Sequence, residues 1–579
     1  MVITNKISRV FLYLSLLIFI SFVIYILCIN QEVFFTAHDR SEFLYGVPFF
    51  STLMSKPFGL IQYIGAWLTQ LLYYPALGTT VLMAIWILIY IVGVKAFRLQ
   101  GSSSSLMFIP IACLLLSLVD LGYWIYVSPI RGYWFSQSIG YLVMLLLVWV
   151  ARSTSRKWHL VWYLIGFCLY PILGWFALLF VFCLAITEKI TWREIVGIIL
   201  ILFAAVIWHK LLYSDCKIDA IILAGLPRFV TGSDNTKHLT NPFWILGGFS
   251  IFIPLCGRYL SKWFVPGVCA CVSIFFVWSL MFHDKNYIDE MRMVRYAEND
   301  NWKEVLRLAE ENNKPTTTMI FLKNLALMNE GGLLERSFKM GNISTPINNP
   351  DTIHVSLLEI AAPLVYYNYG LLNEAIRLGY ENGIQEGFSP INLKMLSRCT
   401  LATGESKLNS RFLTMLHHRP FYGEWQPAPV TANVRELSKS YFDELTGIEN
   451  SDSYLVNNIS QWNNIDNKKG SEQALFYAMI RRDSRRFWAA LRKFVKSHSN
   501  EEFPIHAQEA YILYMDKSPE EKKMMLPINQ DVYNRYQSFW AALESEYKPG
   551  MTQKDLGDKL YNKFGDTYWY YNIFCTKVY

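Results

Sequence analysis

Apolar runs separated by short polar breaks fill the first half of the chain, and the second half changes to a mixed apolar and charged pattern with helical spacing. Runs at residues 10–29, 77–94, 106–127, 136–151, 195–213, 242–257 and 263–282 approach the roughly 20 residues a helix needs to cross a bilayer. The stretch 159–187 is between one span and two in length and is interrupted by Tyr170-Pro171-Ile172-Leu173-Gly174; counted as two it keeps Lys189, Arg193, Arg258 and Lys262 inside, counted as one it puts all four outside, and the positive-inside rule favours two. It reads as two half-spans forming a hairpin, whose freed backbone groups must be buried in protein or line a cavity. The pattern therefore predicts an all-α protein: a polytopic helical membrane domain of about nine spans over residues 1–282, then a soluble helical domain over residues 283–579.

The largest polar interruption among the spans is residues 31–78. It begins with Glu32, His38, Asp39, Arg40 and Glu42 and continues through Tyr45, Phe49, Phe50, Phe58, Tyr63, Trp67, Tyr73 and Tyr74. Many rings with few charges describe helices lying in the membrane interface, so residues 59–74 are read as interfacial and not as a further span.

Charge orients this layout. Residues 1–282 carry 18 Lys and Arg against 9 Asp and Glu, whereas residues 283–579 carry 35 against 37. The net +7 of the whole chain is thus concentrated in the apolar half. Lys6, Arg9, Lys95, Arg98, Arg152, Arg156, Lys157, Lys189, Arg193, Arg258 and Lys262 flank alternate spans, which places those ends inside under the positive-inside rule. The 31–78 loop and residues 283–579 then lie outside. The Gly101 to Ser105 tract reads as a flexible inside loop. Such a charge distribution is not a nucleic-acid footprint. The apolar run after Lys6 and Arg9 is long for a signal-peptide core and is followed by no small-residue cleavage site, so it is expected to remain as an anchor.

In the second half, turns precede helices with recurring aromatic and small residues. Asn299-Asp300-Asn301 precedes Trp302, and Tyr369-Gly370 precedes Leu371 and Ala375. Thr403-Gly404 precedes Leu408, and Arg481-Arg482-Asp483 precedes Phe487 and Trp488. These resemble tetratricopeptide-type hairpins, which bury their apolar faces by stacking into an α-solenoid. Residues 450–469 read as a long polar loop. Of the ten cysteines, only Cys399 and Cys575 belong to this half. They could pair in an oxidising compartment, although buried thiols are the ordinary reading, and no CxxC occurs anywhere.

Walker, Rossmann, GxSxG and HExxH motifs are absent. Candidate chemistry rests instead on ionisable residues that the topology brings to the outer face. Asp39, flanked by His38 and Arg40, lies in the first outer loop. Asp120 falls within an outward span, where a charge is costly; it either serves function, or reaches the outer headgroup region or pairs with Arg131. His209 and Lys210 end another outward span, where snorkelling to the interface is the ordinary reading, and Lys217 and Arg228 follow. Carboxylates near cations suit a phosphate-bearing lipid: His38, Arg40, Arg131, Lys210 and Arg228 would hold the phosphate, and a carboxylate would act as base or divalent-metal ligand.

The layout is similar to GT-C class glycosyltransferases, which use a polyprenyl-phosphate-linked sugar. They share an inside N-terminus, one span, an outer loop with an acidic residue and two interfacial helices, then many spans, in some members with a C-terminal tetratricopeptide-like domain. By that resemblance Asp39 is the candidate catalytic carboxylate; in a transferase, Asp120 or Arg131 would support the donor phosphate. No DxD pair is present.

A second resemblance covers nearly the whole chain. Lys56-Pro57-Phe58-Gly59-Leu60, Gly65-Ala66-Trp67-Leu68-Thr69-Gln70, Tyr74-Pro75-Ala76-Leu77-Gly78 and His506-Ala507-Gln508-Glu509-Ala510 resemble a multi-pass membrane family of unassigned activity common in Bacteroidetes. That resemblance implies a bacterial inner membrane with residues 283–579 in the periplasm. The alternative to a transferase is a membrane-anchored scaffold whose repeat domain captures an envelope protein. A transporter would predict internal repetition among the spans, which is not evident.

Overall fold

The computed structural model describes residues 2–575 except 128–129, 188–190, 228–236, 258–259, 261, 313–314, 340–360, 439–467, 500 and 518–525. Arg228 and nearly all of the expected polar loop at 450–469 lie outside the described residues. Among the described residues every regular element is a helix, as the periodicity predicts. The chain divides into two units. The first comprises Met1–Asp284 together with two short segments from later in the chain, Asn382–Leu393 and Leu413–Trp425.

Five helical segments of the first unit are long and apolar enough to cross a membrane: Ser8–Ile29, Pro75–Ala96, Gly101–Val119, Tyr133–Ser153 and Trp192–Leu212. Many of their large apolar residues, Leu17, Ile87, Leu202 and Phe203 among them, point outward, an arrangement that lipid would cover and water would not tolerate over so large an area. The other expected crossings are made of shorter or proline-interrupted helices: His159–Cys168, Trp175–Thr187, Lys237–Cys256 and Val265–Leu280.

Hydrogen bonds show which helix ends lie together. Helix α1 (Val2–Ile29) starts beside the Gly101 to Ser105 tract, through Ser8 Oγ and Ser102 Oγ at 2.6 Å. At the same end Arg98 donates to Arg152 O at 2.8 Å, and Arg193 donates to Arg156 O at 3.4 Å. Basic residues flanking different helices therefore gather at one end of the unit, the pattern that the charge distribution predicts.

At the opposite end α1 bends at Asn30 into α2 (Gln31–Asp39), and an extended stretch leads to α3 (Val47–Met54) and α4 (Gly59–Thr69). Eleven residues of α helix span about 16 Å, half of a hydrocarbon core of about 30 Å, so α4 cannot cross by itself. The corner between α3 and α4 is tight: Phe58 takes φ 68°, and a side chain on Gly59 would strike the Leu53 carbonyl. Helix α4 lies against Tyr133–Ser153, where Gly65 meets Gly132 backbone to backbone. Tyr73 and Tyr74 then lead into α5 (Pro75–Ala96), with proline at its first position.

The 159–187 stretch folds as the predicted hairpin. His159 lies beside Glu194 at the basic end, with Nδ1 and Oε1 at 3.7 Å, and Gly166 packs on Phe180 and Val181. The turn is at the other end, where Pro171 O accepts from Phe58 N and Trp175 N donates to Ala224 O, both at 2.8 Å. The groups freed by the break are thus satisfied by protein backbone, as the absence of water in a membrane demands.

The Gly101 to Ser105 tract is not the flexible loop that its composition suggests. It is a buried 3-10 helix, Gly101–Met107, continuous with α6 (Phe108–Val119). Ser103, Ser104 and Ser105 each return a hydroxyl to the carbonyl three residues earlier, which satisfies them inside protein without solvent.

The second unit packs consecutive helices side by side: Lys285–Glu298 on Trp302–Glu311 on Thr317–Glu330, and Lys468–Ile480 on Ser484–Ser497. Each of the four recurring turns noted in the sequence carries one residue in the left-handed region: Asp300 at φ 55°, Gly370 at 74°, Gly404 at 79° and Arg482 at 56°. Asp300 is held by Arg398, and Arg482 donates to Tyr571 O and Cys575 O, so side-chain pairing offsets the strain at the two non-glycine positions. Cys399 and Cys575 are free and buried.

Candidate functional site

Asp39 is the last residue of α2, at the end of the first unit opposite the basic flanks. A carboxylate there opposes the helix dipole, while the neighbouring His38 and Arg40 favour it. Asp39 is 3% exposed and its Oδ1 accepts from the Tyr422 hydroxyl at 3.1 Å. His38 is fully buried: its Nδ1 is 3.5 Å from Asp39 Oδ1, its ring lies parallel to Tyr422 at 5.7 Å, and Tyr73 meets it edge-on at 5.4 Å.

Around this core lie two further carboxylates and three guanidiniums. Arg40 donates to Tyr126 O at 2.9 Å, pairs with Glu386 at 3.3 Å, and covers the Tyr126 ring. Arg131 pairs with Glu42 at 2.6 Å and lies over Phe49. Arg419, almost wholly buried, donates to Ser41 O at 3.3 Å and to Phe388 O. With Asp39, the acids are Glu42 and Glu386, so the charges balance.

Burial decides the acid–base character of several of these groups. Glu386 is raised above the ordinary carboxylate range by desolvation, with Arg40 opposing that shift. Desolvation also takes Arg419 down to about 10, while Tyr422, Glu42 and Asp39 pull it back, so it stays cationic at neutral pH. Tyr422 lies well above an ordinary phenol, because its anion would be desolvated and would face the Asp39 carboxylate.

A glycine completes the packing. Gly387 takes φ 100°, and a Cβ there would occupy the position of the Glu42 carboxylate. The absence of a side chain at 387 is what lets Glu42 lie against the 382–393 segment and still reach Arg131.

Of the residues singled out from the sequence, Asp39, His38, Arg40 and Arg131 come together in this cluster. Asp120 caps the C-terminus of α6, half-buried and within electrostatic reach of the Tyr133 phenol. Its alternative pairing with Arg131 is not made, because Arg131 is committed to Glu42. Lys210 is exposed in the last turn of Trp192–Leu212, and neighbouring His209 bonds to Cys216 O at 3.0 Å; neither contacts the cluster through any of these bonds. Arg228 is among the residues not described.

Sequence reasoning missed Arg419, Tyr422, Glu386 and Gly387. The run His417-His418-Arg419-Pro420-Phe421-Tyr422-Gly423 carried a signal, since two imidazoles, a guanidinium and two rings occupy a proline- and glycine-bounded loop between helices. Among the described residues no three His, Cys, Asp or Glu side chains converge as metal ligands. A divalent ion at Asp39 would have to displace Tyr422 and recruit ligands from elsewhere.

A family model matches residues 5–575, nearly the whole chain. The chain belongs to the DUF6057 family. It is a family of unknown function, in agreement with the resemblance carried by the 56–78 strings. No curated protein and no solved structure matches the chain. The DUF6057 match spans both units and every described residue of the Asp39 cluster.

Proposed function

We propose that this protein is a bacterial inner-membrane glycosyltransferase of GT-C-like layout that transfers sugar from a polyprenyl-phosphate donor at the periplasmic face. The observation that carries the reading is the placement of Asp39. It ends a short helix directly after the first apolar span, at the same end as α3, α4 and the 170–174 break, among Arg40, Arg131 and Arg419. Nine apolar segments would cross, the short ones as partial spans, and the second unit would stand in the periplasm as a tetratricopeptide-like array.

In the reaction, an acceptor hydroxyl gives its proton to the Asp39 carboxylate as its oxygen bonds to the anomeric carbon. The bond from that carbon to the phosphate oxygen breaks, and polyprenyl phosphate leaves with the electron pair. Arg131, with about a third of its side chain exposed, is the most accessible of the three cations and would meet the phosphate first, exchanging Glu42 for it. Asp120 would support the donor side from the end of α6.

The test is a membrane assay. Membranes containing the wild-type chain should release polyprenyl phosphate from a lipid-linked sugar in the presence of acceptor saccharide, and membranes containing Asp39→Asn should not. Equal release by both would refute the assignment of Asp39.

One observation favours a second reading. Every guanidinium in the cluster already has an internal partner, so the cluster also serves as a clasp fastening the 382–393 and 413–425 segments to the 39–42 stretch. On that reading the protein is a membrane-anchored scaffold whose second unit binds an envelope protein.

A further inference from the structure

Tyr422 belongs to a loop, residues 417–425, whose two ends are closed by a 2.8 Å hydrogen bond between His417 Nε2 and Trp425 O. Arg419 anchors the loop on two backbone carbonyls. Phe421 takes φ 69°, is 42% exposed, and stacks on Tyr73 with centroids 5.3 Å apart while meeting Tyr74 edge-on. Tyr422, beside it, is buried and brings its hydroxyl to Asp39.

A base must lie within about 2.6–3.2 Å of the hydroxyl whose proton it takes. The Tyr422 hydroxyl, at 3.1 Å and donating, makes the contact that an acceptor hydroxyl would make. With this phenol in place Asp39 is 3% exposed, and its Oδ1 is engaged by the Tyr422 hydroxyl.

We propose that the 417–425 loop is an inhibitory cover in which Tyr422 occupies the acceptor-hydroxyl subsite of Asp39, and that a hydroxyl-bearing acceptor binds by displacing it. The inference rests on Asp39 being the base. Three features fit a loop that leaves as a unit. Its ends are clipped together, so it swings without unravelling. Its left-handed residue is a phenylalanine, a strained conformation that release would relax. Its tip, Phe421, rests on the two tyrosines that precede the α5 span, the point at which a lipid-borne substrate would arrive.

The test uses the full chain in lipid nanodiscs and reads the cover independently of transfer. Carboxyl groups are labelled with a water-soluble carbodiimide and an amine, and Asp39 is followed by mass spectrometry alongside the exposed Glu424. In the wild type Asp39 should label far more slowly than Glu424. Tyr422→Phe keeps the ring over His38 and removes the hydroxyl. It should speed Asp39 labelling about tenfold, the factor implied by losing a hydrogen bond to a charged group. Phe421→Ala, remote from the carboxylate, should raise both that rate and amide exchange across 417–425. Labelling of wild-type Asp39 as fast as Glu424, or rates unchanged in both variants, would overturn the cover. In the transferase assay Tyr422→Phe should lower the KM for acceptor; a fall in kcat instead would make Tyr422 a positioning residue and overturn inhibition. Faster Asp39 labelling in a protein without transferase activity would leave the cover standing and remove the transferase reading alone.

Discussion

The Tyr422 hydroxyl and Asp39 Oδ1, 383 positions apart in the chain, are joined by a 3.1 Å hydrogen bond inside one compact unit. The bond ties a loop of the polar half to the end of α2, the short helix that follows the first apolar helix. It also explains why this unit is not a simple N-terminal piece of the sequence: Glu386 reaches Arg40, and Arg419 reaches Ser41.

Gly387 should not accept a side chain. Gly387→Ala adds a methyl where the Glu42 carboxylate lies and forces alanine to φ 100°. We expect a loss of about 1–3 kcal/mol, seen as a lower melting temperature of the detergent-solubilised protein. Adding Glu42→Ala should return part of it, because the space is then free. A melting temperature equal to that of the wild type would show that the 382–393 segment does not press on Glu42.

The contact between α4 and the helix Tyr133–Ser153 depends on Gly65 and Gly132 in the same way. A Cβ on Gly65 would come within 2.5 Å of Gly132 O. Gly65→Leu should cost about 1–3 kcal/mol or more through overpacking and lower accumulation in membranes, measured by quantitative immunoblot. Unchanged accumulation and melting would contradict the close approach.

Lys323 gives a pH signature for the second unit. Burial brings its ammonium down to about 7 from the ordinary 10.5, and its Nζ donates to Ser337 O at 3.0 Å. Below about pH 7 both folded and unfolded chains hold the proton, and the folded state bears the full cost of a buried charge. Between about 7 and 10.5 only the unfolded chain keeps it, so the Lys323 contribution to stability rises with pH through that window. Lys323→Met should flatten the rise, and melting curves of both proteins at pH 7, 8 and 9 check this. Parallel curves would contradict it.

Much of this was readable from the sequence, for physical reasons that can be named. Alternating basic flanks located helix ends correctly, because charge must leave the apolar region: Arg98, Arg152, Arg156 and Arg193 gather at one end. The Tyr170–Leu173 break declared itself through proline and glycine in an apolar run. Asp39, His38, Arg40 and Arg131 stood out as charges at span ends and do come together. The serine tract was misread, because composition does not reveal that hydroxyls can bond back to their own turn. The 417–423 run shows its charges and rings, but not that Arg419 and Tyr422 reach the 39–42 stretch. A contact across more than 370 residues leaves no periodicity, and Gly387 signals only that some atom is close, not that it is Glu42.

Sidedness is checked by cysteine labelling. Cysteine at Ser155, exposed at the basic end, should react with a membrane-impermeant maleimide only after the inner membrane is opened. Cysteine at Gly423, exposed in the cover loop, should react once the outer membrane alone is permeabilised. Labelling of both under one condition would remove the shared outer face on which the proposed chemistry depends.

Complementation by Asp39→Asn in a deletion strain with altered surface glycans, with membrane accumulation matched to wild type, tests directly whether Asp39 takes the proton. Asparagine keeps the shape and the Tyr422 hydrogen bond but cannot take a proton at neutral pH. The wild-type chain should restore the glycan, and Asp39→Asn should not. Full restoration by Asp39→Asn would contradict that role and leave the scaffold as the better reading.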